Sequence, residues 1–258
     1  MTDSTTFTTK QTTENLSSLQ QMTCQILDSV KQALENLGLP DIPQNNPHHF
    51  GTLFQHTDAV IHALPNGPDS PLPNTALIVA AALHDIGKPD TVTVNPKTGY
   101  DQYLGHAAKS AEIIKANEEK LLPGFDSDGR EYIEELVKLH DTKYAKQGKC
   151  QAMLDSHPDG FAEDLITLQY ADIMGQSEFN RYEKLAEVLK FSKFIQSVGT
   201  PEQTKGLDNV NKIIQEAMDN FLEQQKAGEE PLEEDASLDE SRTAINDCRQ
   251  QAKADIAR

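Results

Sequence analysis

The sequence predicts an all-α protein, and three observations carry that prediction. Apolar residues recur at three- and four-residue steps, as one face of a helix requires. The almost unbroken apolar run Ala76-Leu77-Ile78-Val79-Ala80-Ala81-Ala82-Leu83 reads as a buried helix. Proline and glycine clusters punctuate the chain between these segments.

In chain order, residues 1–12 are Thr-rich and polar and are expected to be a disordered terminus. Residues 13–47 form an N-terminal unit of helix and loop: Leu16, Leu19, Ile26, Leu27, Val30, Leu34 and Leu37 keep helical spacing until Gly38 and Pro40 stop it. A helix carrying His56 is expected from about Thr52 to Ala63, followed by a turn-rich stretch from Pro65 to Pro73. Asn74 is the expected N-cap of the buried helix, and Gly87 and Pro89 stop it. Residues 90–105 read equally as an irregular loop or a small hairpin. Further helices are expected from Leu104 to Leu121, from a cap at Ser127 or Asp128 through His140, and along Phe161, Leu165, Leu168 and Asp172. The stretch 141–160 reads as a loop. Residues 181–227 form a C-terminal helical extension broken at Gly199-Thr200-Pro201, and 228–258 an acidic linker and terminal helix.

Composition bounds the function. The chain has 258 residues, 37% hydrophobic and without Trp, so its core is expected to be Leu, Ile, Ala and Val. The net charge of −18 repels long polyanions and disfavours broad binding of extended nucleic acid. It leaves room for a small anionic substrate held by bound cations. Between Asp219 and Glu240 nine acidic residues face Lys226 alone, as a solvated acidic segment would. Cys24, Cys150 and Cys248 are odd in number and form no CxxC pair, consistent with a reducing compartment. The first residues lack a signal-peptide pattern, and no stretch reaches the ~18 apolar residues of a membrane span, so a cytoplasmic protein without membrane association is expected.

The chemistry starts at His84-Asp85. An imidazole and a carboxylate at the end of a buried helix cost several kcal/mol unless each finds a partner, and the strongest shared partner is a metal ion. His56, His106, His140 and Asp172 supply further candidates. His140 shares a stripe with Ile133, Leu136 and Val137, and Asp172 with Leu165 and Leu168, so both point inward. Imidazole and carboxylate together suit Mn, Fe, Ni, Co or Zn, with Mg if water completes the shell. No cysteine joins the set, which disfavours a structural zinc site. His62 lies about 240° around the helix from His56 and belongs to another face. His48, His49 and His157, beside prolines, read as surface residues. Arg181 and Lys143 are weaker candidates for substrate charge.

The ordered segments Phe54-Gln55-His56-Thr57, Ala82-Leu83-His84-Asp85-Ile86-Gly87-Lys88-Pro89, Leu104-Gly105-His106, Lys138-Leu139-His140-Asp141 and Gln169-Tyr170-Ala171-Asp172 resemble the HD-domain superfamily of metal-dependent phosphohydrolases. The wording His-Asp-Ile-Gly-Lys-Pro is most similar to the HD domain of bacterial tRNA nucleotidyltransferases. The resemblance covers residues 48–180 and implies an HD-domain helical bundle with additional N- and C-terminal helices. No Gly-rich strand-turn or paired acidic triplet of a nucleotidyltransferase head is found here, so CCA addition is not expected.

The resemblance implies one or two divalent ions. His56, His84, Asp85 and Asp172 would bind the first, and His106 and His140 would bind a second bridged by Asp85. Gly105 would let the backbone approach closely beside His106. Lys88 would sit just outside the metal shell, either pairing with a phosphoryl oxygen or solvated at the helix end. Asp141 would be an acid–base group beside a ligand, or exposed. The expected activity is hydrolysis of a phosphomonoester or phosphodiester, a nucleotide or cyclic phosphate, by metal-activated water. The alternatives are a non-catalytic HD module that binds a nucleotide or partner, and an RNA-end processing factor.

Overall fold

Helix α3 (Thr75–Leu83) starts where Asn74 accepts a hydrogen bond from the Leu77 N–H at 2.8 Å. Every residue from Leu77 to Leu83 is buried. A helix apolar on all faces must be enclosed by others. In the computed structural model, which describes residues 25–49, 51–65 and 73–226, α2 (Leu53–Ala63), α7 (Ser127–Leu139) and α9 (Phe161–Met174) pack against it. Helix α1 covers residues 25–36 and sends Val30 and Leu34 into the core.

The remaining helices form a second tier. Helix α5 (His106–Ala116) lies on α7 and is met by the short α4 (Lys88–Thr91), while α6 (Glu118–Leu121) follows α5. Helix α10 (Arg181–Val198) packs on α9, α11 (Leu207–Lys226) on both, and α8 (Gln147–Ser156) on α10. One contiguous core of mainly Leu, Ile, Val and Ala joins them from Val30 to Met218. Among the described residues the sole sheet is the antiparallel pair β1 (Thr93–Val94) and β2 (Asp101–Gln102), with Thr93 opposite Gln102. The protein is all-α. No described helix is long and apolar enough to cross a membrane.

Side-chain caps mark the starts of α2, α3 and α7. Thr52 caps α2 in a reciprocal box with Gln55. Other boundaries moved for identifiable reasons. The stretch expected as one helix from Leu104 to Leu121 breaks at Asn117, whose φ of −131° is not helical and whose amide donates to the Ile113 carbonyl at 2.9 Å. Helix α7 is capped by Asp126, which accepts from the Gly129 N–H at 2.9 Å, not by Ser127 or Asp128. The expected loop 141–160 contains α8, which buries Cys150, Met153 and Leu154 at helical spacing beneath a polar face. Between 90 and 105 the hairpin forms. The N-terminal start at 13–24, the terminus 1–12 and the segment 228–258 lie outside the described residues.

Leu136 is fully buried on α7, which packs against both α3 and α5. Leu136→Ala should cost about 2–5 kcal/mol through lost burial and a cavity. The check is a urea titration in which the midpoint falls while the slope stays constant.

Candidate metal centre

The six expected His and Asp side chains meet at helix ends. His84 is the C-cap of α3 and His140 the C-cap of α7. His106 opens α5, His56 sits in α2, Asp172 in α9, and Asp85 lies in the turn before Lys88 starts α4. Each imidazole faces a backbone carbonyl through Nδ1: His84 reaches Ala81 O at 2.8 Å, His106 Tyr103 O at 2.8 Å, His140 Val137 O at 2.7 Å and His56 Gly175 O at 3.2 Å. A carbonyl only accepts, so all four Nδ1 atoms are protonated and donate. That assignment leaves all four Nε2 atoms facing inward, where each offers a lone pair to a metal once it carries no proton.

Those Nε2 atoms converge on two carboxylates. His84 and His56 lie 3.1 and 3.3 Å from Asp85 Oδ2, and His56 is 3.0 Å from Asp172 Oδ1. On the other side of Asp85, His106 and His140 lie 3.1 and 3.8 Å from Oδ1. Asp85 therefore presents one oxygen to each pair of histidines. The Nε2 atoms of His56 and His84 are 3.3 Å apart, and those of His106 and His140 are 3.2 Å apart. Two bare lone pairs repel at such distances unless a proton or a metal cation lies between them. Ligand bonds of about 2.0–2.2 Å place neighbouring donors about 3.0–3.5 Å apart, so the donor set fits a divalent ion. The groups His56, His84, Asp172 and His84, Asp85, His140 could each hold one. Asp85 Oδ2 is buried and lies within ion-pair range of Lys88, His84 and His56.

Electrostatics agree. Burial disfavours the charged form of His84, but Asp85 and Asp172 outweigh it and hold the imidazole up near 10. Burial also opposes ionisation of Asp85, yet His84 and Lys88 keep its carboxyl well below the usual range; His56 and His84 do the same for Asp172. Burial and the neighbouring His84 push His140 down to about 4. The two carboxylates stay ionised and demand positive charge. Asp172 and His106 are the open edge, with side chains 20% and 15% exposed where Asp85 is 3%.

Lys88 is buried rather than solvated. Its ammonium lies 2.5 Å from Asp85 Oδ2, donates to Gln44 Oε1 at 2.8 Å, approaches His49 Nε2 at 3.3 Å and stands over the Tyr103 ring. Its donors are committed to protein partners, and the expected phosphoryl contact is not available without rearrangement. Asp141 does not join the cluster. It is exposed, one residue beyond His140 and turned outward. His62 is exposed beside Asp58, as expected. Arg181 and Lys143 pair with Glu178 and Glu187. Of three residues read as surface, His49 stacks edge-on against His56 and His157 stacks on Phe161, both drawn inward, while His48 stays half-buried at the rim against the exposed Phe179. Sequence reasoning also missed Gln44, Gln176 and Lys184. Of these, Gln176 alone had a signal, standing four residues after Asp172.

Two glycines shape the site differently. A Cβ on Gly87 would fall 2.5 Å from both His106 O and Ser110 N, so Gly87 lets the start of α5 close onto the Asp85 turn. Gly105 does not serve close approach, since nothing lies within 4 Å of its missing Cβ; it supplies a φ of +80° that aims His106 inward.

A helical bundle with a His/Asp cluster of this kind defines a class, and the chain belongs to the HD domain family, whose model matches residues 59–240. HD domains are generally metal-dependent hydrolases of the phosphohydrolase superfamily and bind divalent metals. The chain is similar to a CC-adding tRNA nucleotidyltransferase of Thermus thermophilus, at 32% identity over 135 residues, 52% of this chain and 30% of that protein. It thus spans less than a third of that relative's length. No solved structure matches it at a significant level.

Gly87→Ala should lower metal content at least severalfold while the helices persist, measured by elemental analysis with circular dichroism, because backbone atoms of α5 must move to admit the methyl group. A second expectation concerns protons. With its pKa near 10, His84 holds a proton at pH 7 in the metal-free protein. An ion taken at Nε2 must displace it, so affinity rises with pH and binding at pH 7 releases protons. Calorimetric titration of Mn²⁺ in buffers of different ionisation enthalpy measures this; a heat independent of buffer would contradict it.

Proposed function

We propose that the chain is a phosphohydrolase of small phosphate esters, with His56, His84, Asp85 and Asp172 holding one divalent ion and Asp85, His106 and His140 a second. One observation carries the reading: four imidazoles give Nδ1–H to backbone carbonyls and turn their four Nε2 atoms toward the two oxygens of one buried carboxylate. Bound ions would supply Lewis acidity toward a phosphoryl oxygen and toward water.

The protein's own groups prepare that chemistry. Lys88 keeps Asp85 ionised, and Gln44 holds Lys88 in place. The backbone carbonyls of Ala81, Tyr103 and Val137, each three residues before its histidine, fix tautomer and ring direction. Helices α2, α3 and α7 exclude water from all but the Asp172 and His106 edge, where a phosphate would enter. The net charge of −18 favours a small anion over an extended polyanion. The likeness to a tRNA-acting enzyme favours a nucleotide or cyclic phosphate within that class.

His84→Ala and Asp85→Ala should each remove bound metal and abolish hydrolysis across a panel of phosphomonoesters and cyclic nucleotides, with circular dichroism unchanged. Wild-type metal content and turnover in either variant would overturn the reading. His140→Ala should reduce the stoichiometry from about two ions per chain to about one. Unchanged stoichiometry with a raised KM would make His140 a substrate contact instead.

A further inference from the structure

With 41 acidic residues against 23 basic ones, a half-buried lysine without a carboxylate partner stands out in this chain. Lys184 is such a residue. Its ammonium donates to Gln176 Oε1 at 2.6 Å and meets His48 Nδ1 at 3.0 Å, and among the described residues it forms no ion pair. Gln176 in turn donates to Asp172 Oδ1 at 3.0 Å, the oxygen that faces His56. Lys184 therefore stands one amide group away from the open edge of the metal centre. Of the neighbouring cations, Lys88 is neutralised by Asp85, Lys143 pairs with Glu187 and Arg181 with Glu178. Among the described residues of this cluster, Lys184 is the cation with no carboxylate in ion-pair range.

Beside it lies an exposed aromatic ring. Phe179 is 46% exposed, with its ring centroid 5.2 Å from that of His48, the residue that also touches Lys184. The turn that presents Phe179 is tied down. Ser177 N–H donates to His48 O at 2.9 Å, Ser177 Oγ donates to Pro47 O at 2.5 Å, and the Phe179 N–H donates to Ser177 Oγ at 3.3 Å. Asn180 follows with a φ of 54°, a left-handed value that no other described non-glycine residue adopts. The anchored turn fixes the exposed ring beside Lys184 and the open edge of the centre, where a flat apolar ligand face could stack on it.

We propose that Lys184, His48 and Phe179 form the outer subsite of the centre and select a nucleoside monophosphate. Phe179, edged by His48, takes the face of the base, and Lys184 binds a phosphoryl oxygen directed away from Asp85. The subsite rests on the phosphohydrolase reading for which bond is cut, but its recognition chemistry stands on these three side chains. Burial lowers the Lys184 pKa to about 8, which keeps the ammonium charged at neutral pH. Its contact with Gln176 links the same group to Asp172 through one amide.

The test uses purified, metal-loaded protein and two probes that cannot be turned over: the phosphonates of AMP and of ribose 5-phosphate, with carbon in place of the ester oxygen. Calorimetry should show the AMP phosphonate binding about tenfold or more tightly than the ribose phosphonate, the advantage a base gains on an aromatic face. Phe179→Ala should erase that advantage and leave ribose phosphonate binding unchanged. Lys184→Met should weaken both probes about tenfold, as loss of a charge-assisted contact does, and Lys184→Arg should recover most of it. Equal binding of the two probes to the wild type, no measurable binding of either, a Phe179→Ala loss shared by both, or a silent Lys184→Met would each overturn the proposal. Turnover reports separately on the hydrolase reading. Hydrolysis without base preference sinks the subsite alone, while base-selective binding without hydrolysis of any phosphate ester sinks the hydrolase and leaves the subsite.

Discussion

The structure depends on a buried carboxylate. Asp85 is 3% exposed and remains ionised in the middle of the bundle. An isolated carboxylate there would cost many kcal/mol and would protonate instead. It is kept charged by Lys88 on one side and by His84, His106 and His56 on the others, while His140 meets it from α7 as a neutral ring. Those partners come from α2, α3, α5 and α7, with Asp172 of α9 completing the set, so satisfying one charge fixes the relative placement of five helices. Breaking any one contact leaves the rest with an uncompensated group.

The way the histidines are held explains why they sit at helix ends. His84 and His140 follow the last turns of α3 and α7, where backbone carbonyls lack intrahelical partners. Each ring donates Nδ1–H to the carbonyl three residues earlier, which caps the helix and locks the tautomer together. The negative ends of two helix dipoles then point at the same spot, and a cation is favoured there. Helix termination and ligand orientation are one arrangement.

Charge is distributed with the same economy. The chain as a whole repels anions, yet two lysines are placed within reach of the centre and have different duties. Lys88 is enclosed and stabilises Asp85, so removing it would disturb the site from within. Lys184 stands at the rim beside Gln176 and faces outward chemistry. A chain of net charge −18 with a lone unpaired lysine at the rim favours a short anion, because a long one meets the global repulsion.

Much of the centre was legible in the sequence because its signal is local. The apolar run 76–83 ending in His84-Asp85, the Asn74 and Thr52 caps, and the inward stripes that carry His140 and Asp172 all follow from helical periodicity over a dozen residues. Helix α8 was hidden, since three buried side chains among Lys, Gln and Gly make too weak a stripe. Asp141 shows the limit of adjacency: one step along a helix path rotates a side chain about 100°, out of the site its neighbour enters. Gln44, His49, His48 and Lys184 had no readable signal, because their importance lies in partners 39 to 136 residues away in the chain. By itself the sequence determined the class of fold and the residues able to meet a metal. Only the tertiary structure decided which lysine is neutralised and which keeps no carboxylate partner, since charge compensation depends on distances that loop packing sets.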